Sequence, residues 1–247
     1  MLDFPALRNL VDRLDYAPLF VTVSGAHLYG FPSPDSDIDL RGCHRLPLCD
    51  VVALDVPNQT RAIETELAGI EVELVSHDVG KYLRLLVKNN GYVLEQIFSP
   101  LVVCGQAFLD ELRPLAQRCI TRHHYHHYRG FLATQRKLIA REQPPRLKPI
   151  LYAYRVLLTG IHLLRSGEVE ANLPRLADEY GLTFVQDLIE RKTREQAVAE
   201  TPDWAEHDAR LGELEGRLDE AYRASPLPED RDRRAVSDFL VRVRLSG

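Results

Sequence analysis

The sequence predicts an α+β protein, a small mixed sheet followed by an all-helical region. Two observations carry this. The segments read as strands lie before Cys104, and from Gly105 to Leu245 almost every segment has helical periodicity. The boundary is therefore set at residue 104, giving a first domain over 1–104 and a helical domain over 105–247. A chain of 247 residues can bury a real core in this arrangement.

Taken in order, Pro5 to Leu14 places Leu7, Leu10, Val11 and Leu14 on one helical stripe with proline in the first turn. Phe20 to Ser24 is an apolar, β-branched run, a buried strand. Gly25 to Gly30 is a turn opening a short helix, and Phe31 to Asp35 holds two prolines and is irregular. Ser36 to Leu40 alternates, a second strand with Asp37 and Asp39 on one face. Arg45 to Val56 reads as a loop or short helix. Arg61 to Thr65 and Ile70 to Val75 form a strand pair around Leu67, Ala68 and Gly69, with Glu71 and Glu73 on one face of the second strand. His77 to Lys88 and Tyr92 to Phe98 are amphipathic helices, and Asn90 is placed to cap the second. Beyond residue 105 the helices are broken at Gln143 to Pro145, Asn172 to Pro174, Thr201 to Pro202 and Ser225 to Pro228. Leu182 to Ile189 and Leu211 to Tyr222 are packing helices, with Trp204 as an anchor.

Two aspartates two residues apart on a strand repel each other, and Asp is a poor strand former. The pattern gains a purpose when a divalent cation sits between them, because Mg²⁺ is held by one or two carboxylates together with substrate phosphates. The glycine turn just before offers backbone N–H groups to a phosphate. A phosphate seat and a metal seat thus lie close together. The alternative is a hairpin with a solvated Asp pair.

This stretch resembles the nucleotidyltransferases of the DNA-polymerase-β superfamily, whose signature is Gly-Ser, a spacer and Asp-x-Asp. More narrowly it resembles the RNA-repair-associated branch (the RNA-ligase-associated phosphotransferase type), matching at Gly25, Tyr29, Gly30, Ser36-Asp37-Ile38-Asp39 and Arg41-Gly42. One departure is that Ala26 stands where the family has serine, with Ser24 displaced upstream. A second signature is matched by Lys81, Asn90 and Glu95, with Gly91 in place of proline. The likeness extends over roughly residues 20–165.

The resemblance implies transfer of a nucleotidyl group from an NTP, ATP foremost, to an acceptor hydroxyl, with Mg²⁺ or Mn²⁺ as cofactor and the active site in a cleft closed by the helical domain. It implies that Asp37, Asp39 and a third carboxylate, Glu73, hold the metals, Glu73 standing where relatives more often have Asp and Glu71 being the fallback. Nucleotide contacts fall on Ser24, Gly25, Ala26, Tyr29, Gly30, Ser36, Arg41 and Lys81, and on a stripe of Lys148, Tyr152 and Arg155. The cluster His123 to Tyr128 is expected to line the nucleotide cleft rather than to form a closed zinc site. The acceptor it favours is an RNA 3′ end. The other readings are AMP transfer to a protein or small molecule, and a nucleotide-binding module without catalysis.

Charge supports part of this. The net charge is −5, so the whole chain is not a generic polyanion binder. Yet Thr121 to Arg165 holds nine Lys/Arg against one acid, whereas Ser166 to Tyr222 holds fifteen acids against six Lys/Arg. The basic segment suits RNA, or the two segments pair with each other on helix surfaces. No apolar run reaches the length of a membrane span. The N-terminus lacks the order of a signal peptide, so Cys43, Cys49, Cys104 and Cys119 are expected as free thiols in the cytoplasm.

Overall fold

A computed structural model describes residues 2–141, 146–194 and 204–246. The breaks expected at Gln143 to Pro145 and at Thr201 to Pro202 lie outside the described residues. The chain folds into two compact units. One comprises residues 1–28, 36–119 and 230–247, the other 29–35 and 120–229.

The first unit is built on a five-stranded sheet of order β3-β4-β2-β1-β5. Its strands are β1 (Pro18–Val23), β2 (Ile38–His44), β3 (Thr60–Leu67), β4 (Ile70–Asp78) and β5 (Val102–Cys104). β2 and β4 are parallel and the other pairings antiparallel, so the sheet is mixed. The β3–β4 hairpin closes through Ala68 and Gly69, both at positive φ, a two-residue turn whose twist matches the strands. One face of the sheet packs Val21, Val23, Ile38, Leu40, Val72, Leu74 and Val103 against Leu7 and Val11 of α1 (Phe4–Asp12), the stripe predicted for that helix. Asp3 caps α1 by accepting from the amide of Ala6. The opposite face is covered in part by α4 (Val79–Leu86) and α5 (Gly91–Phe98). Thr22 Oγ1 reaches the carbonyl of Gln96 in α5. Asn90 caps α5 through the amide of Tyr92, as expected. Arg45 to Val56 holds only the short α3 (Leu48–Val52). The unit is completed by α6 (Gln106–Gln117) and by the last helix, α12 (Arg233–Leu245), whose Arg244 pairs with the buried Asp78. Alternation does not reveal β5, which has only three residues.

The second unit is helical. α8 (Leu147–Ser166) is buried along nearly its whole length. Around it lie α7 (His124–Ala140), α9 (Leu173–Glu179), α10 (Phe184–Thr193) and α11 (Trp204–Ala224). Gly160 lets α7 close in, since a Cβ there would lie 2.9 Å from the Tyr128 side chain. Arg129 and Arg136 of α7 pair with Glu215, Asp219 and Asp208 of α11. That is the helix-surface pairing the charge asymmetry allowed. No cysteine is in a disulfide. Among the described residues no helix is long and apolar enough to cross a membrane.

Candidate active site

The sequence motif lands on the sheet face opposite the α1 layer, because Ile38 and Leu40 point into that core and Asp39 and Arg41 point away. On the neighbouring β4, Val72 and Leu74 face the core and Glu73 faces the other way. The parallel register sets Asp39 beside Glu73, and the hairpin register sets Glu64 beside Glu73 in turn. Three adjacent strands therefore carry a rung of carboxylates, Glu64, Glu73 and Asp39. One rung along, Glu66 sits opposite Glu71. Asp37, just before β2 and exposed, lines the same open pocket of about 570 Å³ together with these residues.

Like charges directly opposite each other on a sheet are destabilising. Arg41 relieves part of the repulsion. Its Nη2 donates to Asp39 Oδ1 at 2.8 Å and to Glu73 Oε2 at 2.7 Å, and its Nη1 donates to the Leu40 carbonyl at 2.9 Å. One nitrogen of one guanidinium lies between two of the three carboxylates that the sequence proposes as metal ligands, Asp39 and Glu73.

The turn before α2 (Gly25–Tyr29) is fitted to the same carboxylate. The amide of Ser24 donates to the Asp39 carbonyl at 2.8 Å. Gly25 has φ of +60°, and a Cβ there would lie 1.9 Å from Asp39 Oδ2. Only glycine lets the turn backbone come this close. Ser24 is buried, and Ala26 and Ser36 are half-buried.

Other candidates lie elsewhere. Lys81 donates to Thr60 Oγ1, which leaves that hydroxyl free to donate to His77 Nδ1, 3.0 Å away. His77 is four residues along β4 from Glu73, roughly 13 Å at strand rise, so the structure does not bring Lys81 to the carboxylate rung. Burial, then the neighbouring Lys81, lowers His77 to about 4. In the helical unit the stripe of Lys148, Tyr152 and Arg155 splits. Lys148 is exposed, Tyr152 half-buried, and Arg155 wholly buried with its guanidinium 3.9 Å from the Tyr29 ring centre. Tyr29 also meets Tyr152 edge-on at 5.6 Å. Gly30, at φ of +84°, lies against Asn172. Of the histidine cluster, His124 is buried on the Thr121 carbonyl, and burial followed by the charge of Arg155 lowers His127 to about 4.

The donor set suits a divalent ion. Asp39 and Glu73 offer hard oxygens, and a cationic nitrogen already sits between them. Among the described residues no group of three or more acidic, histidine or cysteine side chains is arranged to hold a metal. Two carboxylates are nevertheless enough for Mg²⁺ when phosphates and water complete its shell. Sequence reasoning missed Glu64 and Glu66. Their signal was the alternation in Ile63-Glu64-Thr65-Glu66 facing Glu71 and Glu73 across the hairpin.

The chain matches the RNA repair pathway DNA polymerase beta family over residues 5–242. It belongs to that family. A relative in Methanocaldococcus jannaschii, an uncharacterized protein, is 32% identical over 220 residues, spanning 86% of this chain and 88% of the relative. The chain also aligns with the crystal structure of a nucleotidyltransferase-like protein from Exiguobacterium sibiricum, at 12% identity and a TM-score of 0.36, over 90% of this chain and 74% of that one. That likeness is too slight to argue from. Membership makes the chain a polymerase-β-like nucleotidyltransferase of an RNA repair family.

Proposed function

We propose that the protein transfers a nucleoside monophosphate from an NTP, ATP foremost, to the 3′ hydroxyl of an RNA. The observation that supports this best is the pairing of Asp39 and Glu73 across the parallel strands, with the Gly25 turn pressed against Asp39. A divalent ion, Mg²⁺ or Mn²⁺, would be held by Asp39 and Glu73 with help from Asp37, and when bound it neutralises charge on the reacting phosphate. The chain's own groups do the rest. The Gly25 and Ala26 amides seat the phosphates beside Asp39, while the Ser24 amide holds the turn to the Asp39 carbonyl. Glu73, half-exposed, takes the proton of the acceptor hydroxyl as its oxygen bonds to the α-phosphorus and pyrophosphate leaves. Reactions of this type depend on positioning and charge neutralisation more than on covalent help from the protein.

For the RNA, the exposed Lys137 and Arg141 at the end of α7 and Lys148 at the start of α8 are the groups we assign to backbone phosphates. Arg122, Arg129 and Arg136 are already engaged with acids of the 208–229 segment. The test is to incubate the protein with Mg²⁺, each labelled NTP and either RNA or cell lysate. Label on RNA 3′ ends is the expected result. Label on a protein or small molecule, or NTP binding with no transfer, would overturn the RNA assignment.

A further inference from the structure

Arg41 follows the Asp-x-Asp motif by two residues, and strand geometry places it on the same face as Asp39. Its guanidinium does more than neutralise one neighbour. Nη1 is tied to the Leu40 carbonyl, which fixes the fork, and Nη2 then reaches Asp39 Oδ1 and Glu73 Oε2 together. We propose that Arg41 is a resident counter-cation. It occupies the seat between Asp39 and Glu73 until a divalent ion displaces it, and the displaced guanidinium becomes a donor for the incoming phosphates. The proposal rests on the metal seat assigned above.

Three observations support exchange rather than a permanent pair. First, Arg41, Asp39 and Glu73 side chains are 24%, 30% and 43% exposed, so water screens the contacts and can replace them. Second, the oxygens converge on a single nitrogen rather than on both arms of the fork. The pair is thus without the bidentate geometry that makes arginine–carboxylate contacts strong. Third, the rung also contains Glu64, and Glu66 and Glu71 lie beside it, so the carboxylates retain excess negative charge that favours a doubly charged occupant.

This accounts for an arginine inside an acidic motif. Without metal it keeps Asp39 and Glu73 oriented toward each other despite their repulsion. With metal it is freed, so cation and triphosphate bind cooperatively, each favouring the state in which Arg41 has left the carboxylates. The exchange moves no covalent bond.

The test is Mn²⁺ affinity without nucleotide, read by electron paramagnetic resonance of the free ion, for the wild type, Arg41→Gln and Arg41→Lys. Removing the competing cation should tighten Mn²⁺ binding about three- to tenfold in Arg41→Gln, and the lysine variant should stay near the wild type. Equal or weaker binding in Arg41→Gln overturns the role of Arg41 while leaving the metal seat standing. Absence of saturable Mn²⁺ binding in every protein, with or without ATP, overturns the metal seat and this inference with it. A readout on the wild type avoids dependence on variants that fold poorly. The ¹⁵Nε–H resonance of Arg41 should shift on saturation with Mg²⁺, and an unmoved resonance contradicts displacement.

Discussion

The parallel strands β2 and β4 carry an aspartate–arginine contact at each end, and the two differ in nearly everything except residue type. At one end Asp39 meets Arg41 with both side chains partly exposed. At the other, Asp78 is fully buried and accepts from Arg244, from the Leu46 amide at 3.0 Å and from the Gly80 amide at 2.9 Å. Arg244 also donates to the Leu46 carbonyl. Burial alone would raise the Asp78 carboxyl, but the hydrogen bond from Arg244 and the two amides outweigh it and hold the group below its ordinary range. Every lone pair that matters is matched, so this end is a structural joint that fixes α12 and the start of α4. The Asp39 end is open to solvent, so its partner can change. Solvent and satisfaction, more than residue identity, separate a joint from a site.

The comparison can be broken at several points. The largest effect is expected from Asp39→Asn, which should lower nucleotidyl transfer by at least about a thousandfold with little change in Tm, since the side chain is at the surface. Transfer assays with thermal melts on the same samples check it, and near wild-type turnover would refute the site. Asp78→Ala should behave in the opposite way, costing about 3–5 kcal/mol because Arg244 is left buried without its partner. Urea denaturation measures this, and a loss under 1 kcal/mol would show that the joint is dispensable. Next comes Gly25→Ala. Its Cβ would overlap Asp39 Oδ2, so the turn and the carboxylate must separate, with about a hundredfold loss of transfer. Unchanged activity would mean that the close approach is incidental.

The smallest effect concerns pH. His77 has a folded value of about 4 against 6.5 when free, chiefly from burial and then Lys81. The unfolded chain therefore takes up the proton first. The associated stability is complete above pH 6.5 and is lost progressively as pH falls from 6.5 toward 4. His127, also lowered to about 4, adds to the same slope. Tm should fall between pH 7 and pH 5, and His77→Gln should flatten that fall without changing the Mn²⁺ affinity of the Asp39 end.

Much of this was legible in the sequence because it depends on local period. The β-branched run at Phe20, the alternation around Asp39 and Glu73, and the stripe from Leu7 to Leu14 each show directly which face is buried. Period two was enough to turn Asp39 away from the core, whereas the choice of Glu73 rested on the family resemblance, and Asp37, expected within the strand, lies just before β2. What could not be read are facts of register and return. Neither strand by itself tells that Glu64 lies opposite Glu73; that pairing is set by the hairpin closing through Ala68 and Gly69 at positive φ. Nor does the spacing of Arg244 and Asp78, 166 residues apart, announce their contact. The resemblance made Lys148, Tyr152 and Arg155 a single nucleotide-contacting stripe. Burial of α8 on nearly all sides instead placed Arg155 over the ring of Tyr29.

The most direct measurement is the anomalous scattering of a crystal grown with Mn²⁺ and a non-hydrolysable ATP analogue. The account predicts a peak between Asp39 Oδ1 and Glu73 Oε2, about 2 Å from each, with the Arg41 guanidinium turned onto the phosphates. A map with Arg41 still joining the two carboxylates and the Mn²⁺ bound elsewhere would contradict it.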